Sequence, residues 1–374
     1  MDNWTLYALY HGMKGGRKVY PKSWADIQSY IRSGKHRSVF AVGDQLVCGR
    51  NGTDIIWDIV DIDHAVATDS RFHNSLTLQT HDCIESLQFD ATEALYSQSE
   101  ILLAGTYHFT VISQTWYAAD VGKSFQFTIE NDIPANGQIV LSATYNATLE
   151  GKTIRIYSSG LSSTPIETAV LSEGNAGLSL GDAGNAVNGN FNSLHRVFFG
   201  SNNYKDSAIR QWLKSDKTAG QVWTPQTKWD RAPSWAASTA GFINGLDSDF
   251  LSVVGATHIT TARTVNFEGG ANADVVDDVF FLPSRSEVYG GNEVATVAEG
   301  TPFLYFSEYS NLQAPGTGTD GNRIKCRNGS AQWWWIRTPT SGNGRDVRRV
   351  DASGSLNYTY AYNNGGVSVV CNIF

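Results

Sequence analysis

Apolar and polar positions change their period more than once along the chain. In YPKSWADIQSYIRSGK, Trp24, Ile27, Tyr30 and Ile31 fall on one face at helical spacing, which predicts a helix. Ser23 with Asp26 forms a near capping box, Pro21 precedes it, and Gly34 supplies the stop. Strand patterns follow in SVFAVGDQLVC and in DIIWDIVDIDHAV, the second apolar on both faces and so expected in a sheet interior. NSLTLQTHDCIESLQFDATEALY continues the same unit to Tyr96.

Beyond residue 97 the chain alternates apolar and polar positions in short runs, from ILLAGTYHFTVI through KSFQFTIENDIPANGQIVLSATYNATLEGKTIRIYSS, with turns such as NDIPANG and LEGK between them. That is the pattern of a small antiparallel β-sandwich or barrel. It fades into the Gly/Asn-rich SEGNAGLSLGDAGNAVNGNFN, which reads as a linker. NNYKDSAIRQWLKSDK then predicts a short amphipathic helix with Ile209, Trp212 and Leu213 inward, and DDVFFLPSRSEVYGG reads as a strand. No internal repeat is evident.

Composition narrows the class. Of 374 residues, 41% are hydrophobic, 17% charged and 12% aromatic, which describes a globular chain with a sizeable core. Eleven Trp, sixteen Tyr and thirty-six Gly favour short strands and loops over long helices. A net charge of −8 argues against nucleic acid as the main partner, because phosphate binding needs a basic surface. No apolar run is long enough to span a bilayer, and the N-terminus carries no secretory-signal pattern, so no membrane insertion is expected. Cys48, Cys83, Cys326 and Cys371 form no CxxC and read as reduced core cysteines, with a Cys326–Cys371 pairing left open.

Several catalytic patterns fail. VGKS at 121–124 would need a glycine at 117, where Tyr117 stands, and GTGTDG at 316–321 has neither a strand before it nor a helix after it. HExxH and GxSxG are absent. His81, Asp82 and Cys83 are adjacent, which on a strand would point them to opposite faces, so a packing role is favoured and neither metal nor cofactor is expected.

The C-terminal tract is more informative. Trp333, Trp334, Trp335 and Ile336 form an aromatic strand, followed by Arg337 and closed by Pro339. Past it, Val347, Val350, Leu356, Ala361, Val367 and Val369 are spaced apolar positions that can hold the backbone to a core. Between them lie Thr340, Asn343, Arg345, Asp346, Arg348, Asn357, Tyr358, Thr359, Tyr360, Tyr362, Asn363 and Asn364. Antibody paratopes favour this palette: Tyr gives contact area with few rotors to freeze, while Asn and Ser give adaptable hydrogen bonding. On composition alone, an ordinary polar loop with incidental tyrosines competes with that reading.

WWWIRTPTSGNGRDVRRVDASGSLNYTYAYNNGGVSVVCNIF resembles the C-terminal end of a family of bacterial and phage domains. Its signature is a Trp-Trp-Leu-Arg-Ser-Pro stretch, a DGSL-like turn and a final GV-containing strand. The strand here, GGVSVV, lacks the usual proline. The likeness extends to NNYKDSAIRQWLKS and DDVFFLPSRSEV, and so to most of 1–96 and 190–374. Members of that family resemble the variable proteins of diversity-generating retroelements, which have a C-type lectin-like fold. In them, adenine-directed errors convert Asn codons to Tyr, Ser, Thr, Asp and others.

The resemblance implies an α+β chain. Residues 1–96 and 191–374 would form the lectin-like domain, with an immunoglobulin-like antiparallel β-sandwich and linker inserted at 97–190 and a variable region at about 333–374. It implies a non-catalytic binding protein on a virion surface, in a tail or capsid appendage. Its partner would be a protein or glycan of the host cell surface, with homo-oligomers plausible. Trp333, Trp335 and Ile336 would be scaffold; Tyr358, Tyr360 and Tyr362 would be anchors, and Arg345, Asp346 and Arg348 specificity contacts. A bacterial surface adhesin of the same fold stays open. So does an oxidase of the formylglycine-generating type acting through Cys326 and Cys371. A calcium-dependent lectin is disfavoured because Glu-Pro-Asn, Gln-Pro-Asp and Trp-Asn-Asp are all missing.

Overall fold

The computed structural model describes residues 21–93, 200–226, 230–263, 271–307, 321–341 and 344–374, with short segments between 95 and 180. The first helix, α1 (Trp24–Arg32), starts where Ser23 accepts a bond from the Asp26 amide, and it buries Trp24, Ile27 and Ile31. Gly34, at φ +69°, ends it, a conformation that costs glycine little. A single turn, α2 (His36–Val39), follows. Residues 38–44 are therefore not the strand their apolar pattern suggests. The Asp44 carboxylate accepts from the Ala41 amide at 2.8 Å and Gly43 takes φ +88°, which closes a turn before the strand begins.

The strands β1 (Gln45–Arg50), β2 (Thr53–Ile62) and β3 (Leu76–Thr80) form an antiparallel meander, and β4 (Glu85–Gln88) departs from it. Trp57, Ile59 and Val60 of β2 are buried, while Ile56 is exposed. Between 95 and 180 lie β5 (Leu95–Ser97), β6 (Gly105–Gln114), β7 (Ser124–Ile129), β8 (Gln138–Ile139), β9 (Lys152–Ser158), β10 (Glu167–Leu171) and β11 (Ser179–Leu180). They make an antiparallel four-stranded sheet, β10-β9-β6-β7, and a three-stranded one, β11-β5-β8. The linker expected over 172–192 thus holds a two-residue strand, and the rest of it lies outside the described residues.

The C-terminal part begins with α3 (Ala208–Leu213), capped by Ser207 and burying Ala208, Ile209, Trp212 and Leu213. Next come α4 (Ser248–Leu251), β12 (Val254–Gly255), β13 (Thr257–Ala262), β14 (Ala273–Asp278) and β15 (Phe280–Phe281). The stretch expected as one strand, 277–291, is the end of β14, the two-residue β15 and then α5 (Arg285–Tyr289). Ser284 and Glu287 close a full capping box there, a local bond pattern that outweighs the apolar run. After α6 (Leu304–Ser307) the chain forms the hairpin β16 (Lys325–Arg327) and β17 (Ser330–Gln332). It continues through β18 (Trp334–Pro339), β19 (Asp346–Val350), β20 (Leu356–Tyr360), β21 (Asn364–Val367) and β22 (Val370–Ile373).

Two sheets are shared between the parts on either side of the 95–180 segment. One runs β1-β2-β3-β22-β12, with β15 also on β22; the other runs β20-β19-β18-β21-β4, antiparallel except where β18 meets β21. The architecture is mixed α+β and mostly β. Trp57, Trp212, Trp334, Trp335, Phe242, Phe250 and Phe280 are fully buried in one continuous core, with ring centroids 4.9 Å apart for Phe242–Phe280 and 5.2 Å for Trp57–Phe250. Aromatic pairs at such distances add attraction beyond the area they bury. No helix among the described residues is long and apolar enough to cross a membrane.

Candidate binding face

The floor of the C-terminal tract is the WWWIR strand. Trp334, Trp335, Ile336 and Arg337 are buried, and the indole N–H groups of Trp334 and Trp335 donate to the Arg323 and Leu87 carbonyls, both at 2.9 Å. Trp333 is half-buried against the core, edge-on to Trp335 at 4.8 Å. Val347, Val350, Ala361, Val367 and Val369 are fully buried, so the backbone between them is fastened at short intervals.

The hairpin of β19 and β20 carries the polar positions. Register places Arg348 opposite Tyr358 and Asp346 opposite Tyr360 on one side, with Arg349 opposite Asn357 and Val347 opposite Thr359 on the other. Tyr358 is 52% exposed, the most open ring of the tract, and the Arg348 guanidinium lies 5.5 Å from its centroid. Arg345 covers Tyr360 at 5.3 Å, and Tyr360 stacks on Tyr362 at 6.0 Å with an interplanar angle of 11°. Arg–ring contacts of this kind hold side chains in place at modest gain.

Among the sequence-predicted positions, Tyr358 and Asn364 are exposed. Thr340, Arg345, Arg348, Asn357, Thr359, Tyr360, Tyr362 and Asn363 are half-buried, and Asn343 lies outside the described residues. Asp346 is 3% exposed, so its carboxylate does not reach an incoming ligand as a specificity contact would. Arg348 is committed within the fold, since its guanidinium makes two bonds to Glu293, at 2.9 and 2.7 Å. Arg285 also reaches Glu293 at 3.0 Å, and the Ser341 amide donates to it at 3.2 Å. Burial works to raise the Glu293 carboxyl, but these bonds and charges outweigh it and the pKa falls below its ordinary value. Asn363 donates to the Thr359 hydroxyl at 2.7 Å.

Three residues that the sequence did not single out complete the face. Glu293 clamps Arg348 from a distant loop with no periodic signal to mark it. Arg349 lies 4.6 Å from the Trp333 ring, and burial lowers its pKa. Asp351 builds the hairpin turn, its Oδ1 accepting from the Ser353 hydroxyl at 2.6 Å and from the amides of Ser353 and Ser355 at 2.9 Å each. The D-x-S-G-S spacing is the readable signal for it.

Elsewhere, His81 bonds to buried Asp58 at 2.9 Å, Asp82 accepts from the Cys326 amide, and Cys83 is buried with its thiol pushed up to about 12. All four cysteines are free thiols. The residues of GTGTDG before Gly321 lie outside the described residues, as do those of VGKS before Ser124.

No curated protein and no solved structure matches the chain. One family model does, that of a domain of unknown function (DUF6273), and it aligns with the entire C-terminal part that carries the WWWIR floor and the hairpin. The match spans residues 182–374, more than half of the 374-residue chain, and the chain belongs to that family.

Proposed function

We propose that the chain is a non-catalytic binding protein whose contact surface is the hairpin face between Thr340 and Asn364. On this reading the fold is C-type lectin-like, the 95–180 segment is an immunoglobulin-like module, and the face is diversified by a retroelement. The protein stands on a virion surface, where it takes a protein or glycan of the host cell, and homo-oligomers add avidity to weak single sites. The observation that carries it is the division of labour in the tract: Val347, Val350, Ala361, Val367 and Val369 are fully buried, Leu356 is half-buried, and Tyr358 and Asn364 stay exposed. Such a face can exchange side chains without unfolding the floor beneath it. The thiol-oxidase alternative has less to stand on, because Cys371 is fully buried and burial drives its thiol well above the ordinary range.

The test is a display library randomised at Asn357, Tyr358, Thr359, Tyr362 and Asn364. Members changed only at the exposed Tyr358 and Asn364 should stay within about 1 kcal/mol of the parent, most of the library should remain folded, and selection on unrelated proteins and glycans should return different sequences. A library that is largely unfolded would end the proposal. The gene's 3′ DNA gives a second check: a nearby near-copy should differ from it only at adenines.

A further inference from the structure

A cleft of about 280 Å³ opens between β13 and the loop before α6, and none of residues 340–364 lines it. Its floor includes Thr77 and Asn372, opposed in register across β3 and β22 and each only 1% exposed. Asn372 donates its amide to the Thr257 hydroxyl at 2.8 Å, yet among the described residues its Oδ1 has no hydrogen-bond partner, and neither has the Thr77 hydroxyl. Buried polar atoms are normally paired, so two orphans lining one cleft point to a ligand that supplies the missing partners.

The charge balance points the same way. Arg337, Glu287 and Glu299 line the cleft, but the guanidinium forks onto Glu287 alone, at 2.7 and 3.0 Å. Glu299 is 1% exposed and accepts only from the Ala262 amide at 2.9 Å and the Thr338 hydroxyl at 2.6 Å. Among the described residues no cationic side chain forms an ion pair with it. A buried carboxylate is costly; the charge of nearby Arg337 offsets part of that cost, but burial prevails and lifts the pKa above the ordinary value. Ile259, Phe281 and Phe303 give the remaining lining its apolar part, Val66 stands 66% exposed at the rim, and His64 and His258, paired with Asp61 and Asp277, line it together with Thr257, Thr260 and Thr301.

We propose that this cleft binds a short organic cation, an ammonium or guanidinium group on an alkyl stem. Its N–H donors would meet Glu299, Asn372 Oδ1 and Thr77 Oγ1, and its stem would lie against the aromatic walls. The volume admits a group of roughly six to eight heavy atoms. The cation can come from a free amine or from a Lys or Arg side chain of a second copy of the chain. The site does not depend on the hairpin reading above.

The experiment is calorimetric titration of the whole chain with propylguanidinium chloride and, separately, with its uncharged isostere propylurea. Saturable one-to-one binding is expected for the cation, at least about tenfold tighter than for the urea, since only the cation matches Glu299. Thr77→Val removes a hydroxyl that makes no bond in the fold, so it should leave the melting temperature level or higher while weakening the cation several-fold. Glu299→Gln should abolish the preference for the charged compound. If saturating propylguanidinium dissociates an oligomer in sedimentation runs, the natural cation belongs to a second copy; an unchanged mass assigns it to a free amine. Equal affinity for the two compounds, no saturable heat with either, or an unchanged affinity in Thr77→Val would each overturn the assignment, the last even if Glu299→Gln does not fold.

Discussion

Arg337 sits 1% exposed at the end of the aromatic strand, where most side chains would be apolar. Its guanidinium spends its donors on Glu287, on the Leu282 carbonyl at 2.8 Å and on the Glu299 carbonyl at 2.7 Å, so a buried charge is fully matched. Removing one member of such a group leaves the other charged with no compensation. Arg337→Met should therefore lower the free energy of unfolding by about 3–5 kcal/mol in urea titrations, and Arg337→Lys, which cannot make the fork, should recover only part of that. A loss below 1 kcal/mol would mean that the network relaxes or takes in water. The sequence shows Arg337 only as the residue after WWWI. Its partner was half legible, because Glu287 is the last residue of the S-x-x-E capping signal, but nothing local says that one carboxylate serves both the helix cap and an arginine 50 residues away.

Elements were legible where cap and face are both local. The helices α1 and α3 follow directly from Ser23 and Ser207 and from their apolar spacing, whereas residues 38–44 mislead because a turn held by Asp44 interrupts an apolar run. The Gly365–Gly366 pair reads as the end of a polar tract, yet its cause is contact. A Cβ on Gly366 would stand 2.6 Å from the Cys83 sulfur and 2.7 Å from the Trp333 carbonyl, and one on Gly365 2.6 Å from the Trp335 indole nitrogen. The floor and β21 approach too closely for any side chain there. The hairpin that carries the candidate face depends in turn on Asp351, and Gly354 takes φ +87° in its turn. Asp351→Ala deletes three accepted bonds and should cost about 1–3 kcal/mol in chemical denaturation. It should also broaden the amide resonances of residues 352–358 while leaving those of β22 sharp. Uniform broadening would show that the turn is not a separate element of the stability.

At the scale of the whole molecule, Glu293 titrates at the candidate face and His81 and Glu299 away from it, and pH resolves them. Glu293 has its pKa held below the ordinary 4.5, so the stability it contributes is present above that value and is lost as pH falls through the depressed one. His81 behaves oppositely. Its bond to Asp58 is the main cause of a pKa above the ordinary 6.5, so its contribution is complete below that value and disappears as pH rises through the folded one. Glu299, raised by burial, also favours the fold less as pH climbs from 4.5, so the overall curve mixes signs and is a poor test. Differences between parent and variant isolate each group. The gap between the parent and Glu293→Gln should be near zero in strong acid, open as pH rises, and level off above about pH 5. The gap to His81→Gln should be widest in mild acid and close on the alkaline side. Because Glu293 holds Arg348, and Arg348 lies over Tyr358, the first gap should be accompanied by a change in tyrosine fluorescence over the same acid interval. A flat Glu293→Gln difference would mean that the clamp is broken in solution and that the hairpin face is held by its buried valines alone.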